Sequence, residues 1–255
     1  MKYLIVNADD FGYTRDVNEG ILEAHRRGIL TSATLMANGS DFHHAHLLAK
    51  DFPSLDIGIH LVLVGERALS RPSKCLPDSP YGLLWDRTLD IERELDLQMR
   101  RALEVGIKPT HLDTHKHAHL LPKVARAVAS IAKAYHVPWV RRPLPRLGYF
   151  ATRILQNSGC RMTDHFAGFR QTGKLDTPEL VRLIRSLPEG LTELMVHPGY
   201  CGQQLAAART RLKQSRQTEL EALTSPAVRK AIDESGVILT SHKIQSAGHL
   251  QQAGA

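Results

Sequence analysis

The sequence has few cysteines and no long apolar run, and both absences exclude classes of protein. Its three cysteines, Cys75, Cys160 and Cys201, are odd in number and lack the paired spacing of a structural metal site or a disulfide framework. The first apolar run, residues 3–6, is too short for a signal-peptide core or a membrane span. We therefore expect a cytoplasmic protein with neither disulfides nor a membrane-spanning helix.

Nucleic-acid-binding motifs are also missing, although the chain is basic. The formal net charge is +7, but no helix-turn-helix, zinc-finger or aromatic RNA-binding signature accompanies it. Basic residues such as Arg209, Arg211, Lys213 and Arg216 are interpreted as solvated helix faces. We expect no nucleic-acid partner, whereas an anionic substrate or contact with a membrane surface stays open.

Histidine is concentrated in one short segment of the chain. Residues 109–119 read PTHLDTHKHAH, which places four histidines and one aspartate between His111 and His119. Histidine and carboxylate are the usual ligands of a catalytic zinc or similar divalent ion. A short His-rich run can also be a solvated loop that binds metal by accident. The segment alone therefore leaves both interpretations open.

Short apolar runs alternate with helical patterns, which is typical of a parallel sheet. The strands are predicted near residues 3–7, 32–37, 56–61, 109–113, 138–142, 165–169, 193–197 and 236–240. Helices are predicted between Thr14 and Gly28, before Gly106, from Pro122, and after Thr177 as N-cap. Seven or eight such units predict an α/β fold, a single-domain, irregular TIM-like (β/α) barrel. We expect it to span residues 1–245, followed by a flexible tail at 246–255.

Acidic residues and histidines stand at the ends of several predicted strands. Asp9 and Asp10 follow the first strand, His60 ends the third, and His197 follows a later one. In (β/α) barrels the reacting residues lie at the C-terminal ends of the strands. A barrel would bring these residues and the 111–119 cluster to one rim, which predicts a shared metal-dependent site.

Three further features belong to the same rim. Side chains alternate along an extended chain, so His111, Asp113 and His115 would share a face, and Asp113 could orient a ligand histidine. Arg141, at a strand end, could contact substrate or support the barrel by pairing with a carboxylate. Residues 65–87 form a long connection that could cover the site.

Four motifs in order carry a resemblance to a known family: NADDFG at 7–12, GIHL at 58–61, THLDTH at 110–115 and HPGY at 197–200. They resemble the YdjC-like carbohydrate deacetylases, from residue 3 to about 200. The resemblance implies an enzyme that uses a divalent metal on an irregular barrel. Its substrates would be N-acetylated amino sugars, either chitooligosaccharide-like or carried on a glycolipid. Residues 60–64 are similar to the branch linked to hopanoid glycolipids.

The resemblance also implies roles for individual residues. Asp10, His60 and His115 would ligate one divalent ion, zinc or magnesium, with manganese or cobalt also open. Asp9 would be the general base and His197 would protonate the departing amine. Of the two remaining cluster histidines, His117 and His119, we expect one to contact substrate and the other to be solvated. Tyr200 of the HPGY motif is a further candidate for substrate contact or support of the site.

Two other function classes remain open at this stage. The first is a metal-dependent hydrolase of another bond, such as a phosphoester, where an activated water is equally useful. The second is a sugar-binding barrel without turnover, against which the presence of both Asp9 and His197 argues. A homo-oligomer is compatible with either.

Overall fold

The computed structural model describes residues 1–245, and its eight strands all run parallel in one curled sheet. The strands are β1 (Lys2–Phe11), β2 (Ser32–Leu35), β3 (Asp56–Leu61), β4 (His111–Thr114), β5 (Trp139–Val140), β6 (His165–Ala167), β7 (Gly190–Val196) and β8 (Val237–Leu239). The helices are α1 (Arg15–Arg27), α2 (Phe42–Asp51), α3 (Ile91–Glu104), α4 (Pro122–Ala134), α5 (Tyr149–Asn157), α6 (Thr177–Arg185), α7 (Gln203–Ala207), α8 (Gln214–Leu223) and α9 (Pro226–Glu234). Short 3₁₀ helices cover Pro80–Leu84 and His115–Leu120.

The sheet is an incomplete barrel with the strand order β5-β4-β3-β2-β1-β7-β6. On one edge of β1, β8 pairs with residues 2–4 and β2 with residues 7–11, while β7 pairs with residues 2–8. Within residues 1–245 no ladder joins β5 to β6, and one bridge, between Trp139 and Arg161, approaches the gap. The predicted irregular α/β barrel is confirmed, in the form of a curled parallel half-barrel.

The helices start where local chemistry satisfies their first backbone N–H groups. The Thr14 side chain accepts a hydrogen bond from the Val17 amide at the start of α1, and Pro122 begins α4 as predicted. The prediction was wrong at α6, where Asp176, and not Thr177, caps the helix by accepting from the Glu179 amide. The apolar faces of the helices pack on the sheet and form one main core.

The predicted tail at residues 246–255 lies outside the described residues, so the domain boundary stays a prediction. Among residues 1–245, no helix is long and apolar enough to cross a bilayer. All strand C-termini lie at the same end of the sheet because the strands are parallel. That end carries the residues considered next.

Candidate metal centre and active site

A bulge in β1 turns two adjacent carboxylates toward one cavity. Neighbouring strand residues normally point to opposite faces of a sheet. Between Ala8 and Phe11, however, β1 advances one residue more than β2, and Asp10 adopts a left-handed backbone with φ of 68°. Asp9 and Asp10 consequently both line the cavity. A left-handed aspartate at a strand end is a strained conformation of the kind found at functional sites.

Three side chains from different strand ends bring their ligand atoms together. Asp10 Oδ1 lies 3.0 Å from His115 Nδ1 and 3.3 Å from His60 Nε2, and the two histidine nitrogens are 3.1 Å apart. Four ligands at about 2.0–2.1 Å around a tetrahedral zinc lie roughly 3.3 Å from one another. The three atoms are therefore spaced as one face of such a coordination shell.

Asp113 fixes the orientation of the His60 ring. Its Oδ1 lies 2.7 Å from His60 Nδ1, which leaves His60 Nε2 directed at Asp10 and His115. Burial lowers the pKa of His60, but the carboxylates of Asp113, Asp9 and Asp10 outweigh it and raise that pKa to about 10. A carboxylate behind a histidine is the usual support of a metal ligand. The contact places Asp113 behind His60, and its role as support of a metal ligand stays a prediction.

Two other groups of residues bring potential ligands close together, but their geometry does not suit an ion. In the group Asp9, His60 and Asp113, the carboxylates of Asp9 and Asp113 are already bound to the Arg141 guanidinium. Both Asp9 oxygens and Asp113 Oδ2 are occupied by Arg141, and Asp113 Oδ1 lies 2.7 Å from His60 Nδ1, so neither carboxylate has an oxygen left for an ion. Asp10, His60 and His115 are the better-fitting set.

The second group lies at the other end of the sheet and consists of Asp56, His111 and His242. The oxygens of Asp56 accept hydrogen bonds from Thr110 Oγ1 and the Lys243 amide. The His111 and His242 rings stack face to face, with centroids 3.9 Å apart and planes 18° apart. Lone pairs in two parallel ring planes do not converge on one ion, so the contact is structural.

Arg141 gathers three carboxylates beneath the cavity. Its Nη2 and Nη1 donate to Asp9 Oδ1 and Oδ2 at 2.6 and 2.8 Å, Nη1 lies 2.7 Å from Asp113 Oδ2, and Nε donates to Glu193 at 2.8 Å. Burial works against ionisation of Asp9, but Arg141 holds the pKa of that carboxyl well below its usual range. Arg141 does not line the cavity. The sequence left two roles open for Arg141, contact with substrate or pairing with a carboxylate, and the structure shows the pairing.

His197, at the end of β7, lies between two carboxylates. Its Nε2 is 4.0 Å from Asp9 Oδ2 and its Nδ1 is 4.0 Å from Glu219 Oε2. The same Glu219 oxygen accepts a hydrogen bond of 2.6 Å from the His197 amide. Burial lowers the pKa of His197 to about 4 and raises that of Glu219 to about 7. His197 is therefore neutral at pH 7 and faces the same cavity as Asp9.

The rest of the histidine cluster divides between the cavity wall and the interior. His117 lines the cavity against Phe166 and Phe169, with ring centroids 5.8 and 5.0 Å away. The expectation that its companion is solvated is wrong, because His119 is fully buried and Nδ1 of its ring lies 2.6 Å from Thr114 Oγ1. The chain turns inward there because Lys116 and His117 both have left-handed backbones.

Two further candidates lie away from the cavity. The Nε2 atom of His111 is 2.9 Å from Asn7 Oδ1, and Asn7 Nδ2 lies 3.3 Å from Asp9 Oδ1, so His111 supports Asp9 from below. Tyr200 is 41% exposed and does not line the cavity. Its amide donates to the Asp16 carbonyl in α1, so the structure places it on the outer side of the HPGY loop.

The cavity above these residues has a volume of about 480 Å³. Asp9, Asp10, His60, His115, His117 and His197 all line it. The predicted long connection at residues 65–87 contributes Gly65 and Glu66 to its wall. Lys116 ties this connection down by donating to the Asp78 carbonyl at 2.9 Å. The connection thus borders the cavity.

The interpretation of the basic residues near residue 210 as solvated helix faces was right about the exposure of Arg209 and Arg211 but wrong about the helix, and wrong about the exposure of Arg216. Arg209, Arg211 and Lys213 lie in the irregular segment between α7 and α8, and the first two border the cavity. Arg216 is in α8 but only 1% exposed, and its Nη2 donates to Asp10 Oδ2. Sequence reasoning also missed Glu219, one helical turn further on.

A signal for both α8 residues was nonetheless present. Arg216 and Glu219 are three residues apart and share a helix face with Leu220 and Leu223, all four of which are buried. Charged side chains on an apolar helix face require partners, and strand-end carboxylates and amides are such partners.

Known proteins resemble the chain along most of its length. The family model described as YdjC-like protein matches residues 3–234. A carbohydrate deacetylase of Brevibacillus brevis is 37% identical over 253 residues, covering 93% of this chain and 97% of the relative. A chitooligosaccharide deacetylase of Serratia marcescens is 33% identical over 252 residues, covering 94% and 98%.

A solved structure agrees with these relatives. A protein of Enterococcus faecalis V583, whose suggested role is cellobiose-phosphate cleavage, superimposes with a TM-score of 0.83 at 26% identity and covers 96% of this chain and 98% of that one. The four motifs predicted the family correctly: the chain belongs to the YdjC-like proteins.

Proposed function

We propose that this protein is a metal-dependent hydrolase that removes the acetyl group from an N-acetylated amino sugar. The carbohydrate-deacetylase class predicted from the sequence agrees with the names of its relatives. The metal and the residue roles rest on one observation. Three ligand atoms spaced 3.0–3.3 Å apart share a cavity with a separate carboxylate, Asp9, and a histidine, His197.

Asp10, His60 and His115 would hold the ion. Two histidines and one carboxylate suit zinc, manganese or cobalt, and the surrounding carboxylates also suit magnesium. Once bound, a divalent ion supplies Lewis acidity, which polarises an acetyl carbonyl and lowers the pKa of water. Asp10 and His60 lie in β1 and β3, and His115 directly follows β4, so the sheet positions all three donors.

Asp9 is placed to accept a proton from the attacking water. Both of its oxygens are bonded to Arg141, which fixes the carboxylate plane and keeps it ionised at neutral pH. The same pairing makes Asp9 a weaker base than a free carboxylate. Water of lowered pKa therefore matches this base better than bulk water does.

His197 is placed to deliver a proton to the departing amine. Its pKa of about 4 means that it does not store that proton at pH 7. His197 must therefore receive the proton during turnover. Asp9 would take that proton from water, and its Oδ2 lies 4.0 Å from His197 Nε2, to which it would pass the proton. Glu219 lies on the Nδ1 side of the ring, 4.0 Å away, and holds the His197 backbone through its bond to the amide.

The mouth of the cavity carries features that suit a substrate larger than one sugar. Lys116, Glu66, Arg209 and Arg211 border the cavity and offer partners for sugar hydroxyls. Its volume of about 480 Å³ is in the range of small-molecule sites. A chitooligosaccharide would place one acetylated unit inside and the remaining units along this mouth.

One observation favours a glycolipid as a second candidate. Large apolar side chains are exposed on the connections after β3 and β5, namely Tyr81, Leu84, Trp85, Leu147, Tyr149 and Phe150. The 3₁₀ helix Pro80–Leu84 and helix α5, which begins at Tyr149, both contact the 3₁₀ helix His115–Leu120, which carries His115 and His117. An exposed apolar surface next to a catalytic cavity suits the lipid part of a membrane-bound substrate.

A substrate panel tests the proposal and separates these candidates. Acetate release is measured with N-acetylglucosamine, chitooligosaccharides and an N-acetylglucosaminyl lipid in vesicles, and phosphate release with sugar phosphates. We expect acetate release that chelation abolishes and added divalent metal restores. Phosphate release without acetate, or sugar binding without turnover, would contradict the proposal.

Replacing a proposed metal ligand should remove the ion and leave the fold intact. We expect His60→Ala and His115→Ala to lose bound metal and activity, because the ligand atoms lie at the rim above the core. Elemental analysis and circular dichroism provide the measurements. His43→Ala, at an exposed position of α2, is the matched control and should keep both. Full metal occupancy in the two ligand variants would refute the assignment.

The base should be separable from the metal. Asp9→Asn keeps the size of the side chain but removes the proton acceptor, so we expect metal content to be retained. Turnover should fall roughly 10²–10⁴-fold, the typical contribution of general acid–base catalysis. Turnover near that of the wild type would mean that another group accepts the proton.

The proposed acid should matter most when the leaving group needs a proton. We expect His197→Ala to lose much more activity on an N-acetyl sugar than on a phenyl acetate analogue, whose leaving group departs without one. Rates on both substrates, at equal metal loading, provide the comparison. Equal losses would assign His197 to substrate positioning instead.

A further inference from the structure

Arg216 has an unusual position, because it is a buried cation on the wall of the cavity. Its side chain is 1% exposed, yet it lines the same space as Asp10 and His197. The Nη2 atom donates to Asp10 Oδ2 and the Nε atom to the Leu212 carbonyl at 3.3 Å. The Nη1 atom is buried and has no hydrogen-bond partner in the part of the chain that the structure describes.

Because of Arg216, the two oxygens of the Asp10 carboxylate have different partners. Oδ2 accepts from Arg216, so Oδ1 alone is directed at His60 and His115. Asp10 is thereby limited to one oxygen for an ion. The guanidinium is planar and rigid, so fixing Nη2 on Asp10 also fixes where Nη1 lies, on a side chain that lines the same cavity as Asp10.

A buried guanidinium N–H without an acceptor is unfavourable, and an oxygen entering the cavity would satisfy it. We infer that Arg216 Nη1 donates a hydrogen bond to the oxygen of the substrate's acetyl group and then to the acetate product. This inference rests on the proposed deacetylase function. Negative charge develops on that oxygen when water adds, and a fixed, buried donor stabilises it most at that moment.

The HPGY motif makes room for Arg216. A side chain at Gly199 would place its Cβ 3.3 Å from Arg216 Cδ and 3.4 Å from Arg216 Cβ. The Gly199 amide also donates to the Arg216 carbonyl at 3.2 Å. Gly199 itself lies against α1, where a Cβ on Gly20 would come within 2.4 Å of the Gly199 Cα. Two glycines therefore hold the loop close enough for Arg216 to reach Asp10.

The test measures acetate binding and metal binding separately. Calorimetry gives the Co²⁺ affinity of each variant, and titration of the Co²⁺-loaded protein with sodium acetate, followed by visible absorption, gives the acetate affinity. In Arg216→Gln we expect acetate affinity to fall about 10-fold or more, as for loss of a charged hydrogen bond. Co²⁺ affinity should stay within about 3-fold, because Asp10 keeps its free oxygen and loses a neighbouring positive charge. Turnover should fall roughly 10²–10³-fold.

Two further variants sharpen the comparison. Arg216→Lys keeps the charge without the fork and should lie between the wild type and Arg216→Gln in acetate affinity, which also covers the case that the glutamine variant does not fold. Arg126→Gln removes an exposed arginine of α4 that does not line the cavity, and it should leave acetate affinity unchanged because its charge is distant and screened.

The outcomes separate the inference from the proposed function. Equal acetate affinity in Arg216→Gln and wild type, or no acetate binding to the loaded wild type, would overturn the inference. Joint loss of Co²⁺ and acetate would overturn it as well, because Arg216 would then only position Asp10. None of these measurements needs turnover, so failure of the deacetylase proposal appears separately, in the substrate panel.

Discussion

The buried guanidinium of Arg141 is the interaction on which the rest of the site depends. It bonds Asp9 from β1, Asp113 at β4 and Glu193 in β7 at distances of 2.6–2.8 Å. Asp113 in turn orients His60, and Asp9 faces His197. Removing one partner of a buried ion cluster leaves uncompensated charge and costs several kcal/mol. The strand ends are therefore held in one arrangement by electrostatics as well as by the sheet.

The buried ionic cluster at the site carries more negative than positive charge. Four buried carboxylates, those of Asp9, Asp10, Asp113 and Glu193, face two guanidiniums, so negative charge is left over when all are ionised. Burial raises the pKa of Glu193 to about 7 against the pull of Arg141, and the carboxylates around His60 raise its pKa to about 10. A proton on either group offsets part of the excess negative charge. The proposed divalent ion between Asp10 and the two histidines would supply that charge.

Much of the fold and part of the site could be predicted from the sequence. All eight predicted strands exist, because apolar runs bounded by turn residues are a strong signal, and parallel strands bring Asp9, His60 and His197 to one side. The bulge that turns Asp10 beside Asp9 could not be predicted, because strand periodicity places neighbours on opposite faces. Arg216 was misread because it was taken with basic neighbours, although its helix face also carries buried leucines. Contacts from a helix back to a strand end depend on packing that the local sequence does not encode.

Residues deep in the cavity carry the proposed chemistry, whereas residues at its mouth determine which substrates fit. The groups near the sheet are fixed by short bonds within the barrel, and changing any of them disturbs charge balance as well as geometry. The mouth is bordered by Gly65 and Glu66 of the connection at residues 65–87, by Lys116, and by residues 209–212 before α8. His117 lies at the boundary, packed on Phe166 and Phe169 but facing the cavity. Substitutions at the mouth would change which part of a substrate reaches Asp9 and His197. The spacing of Asp10, His60 and His115 would stay as the strands set it.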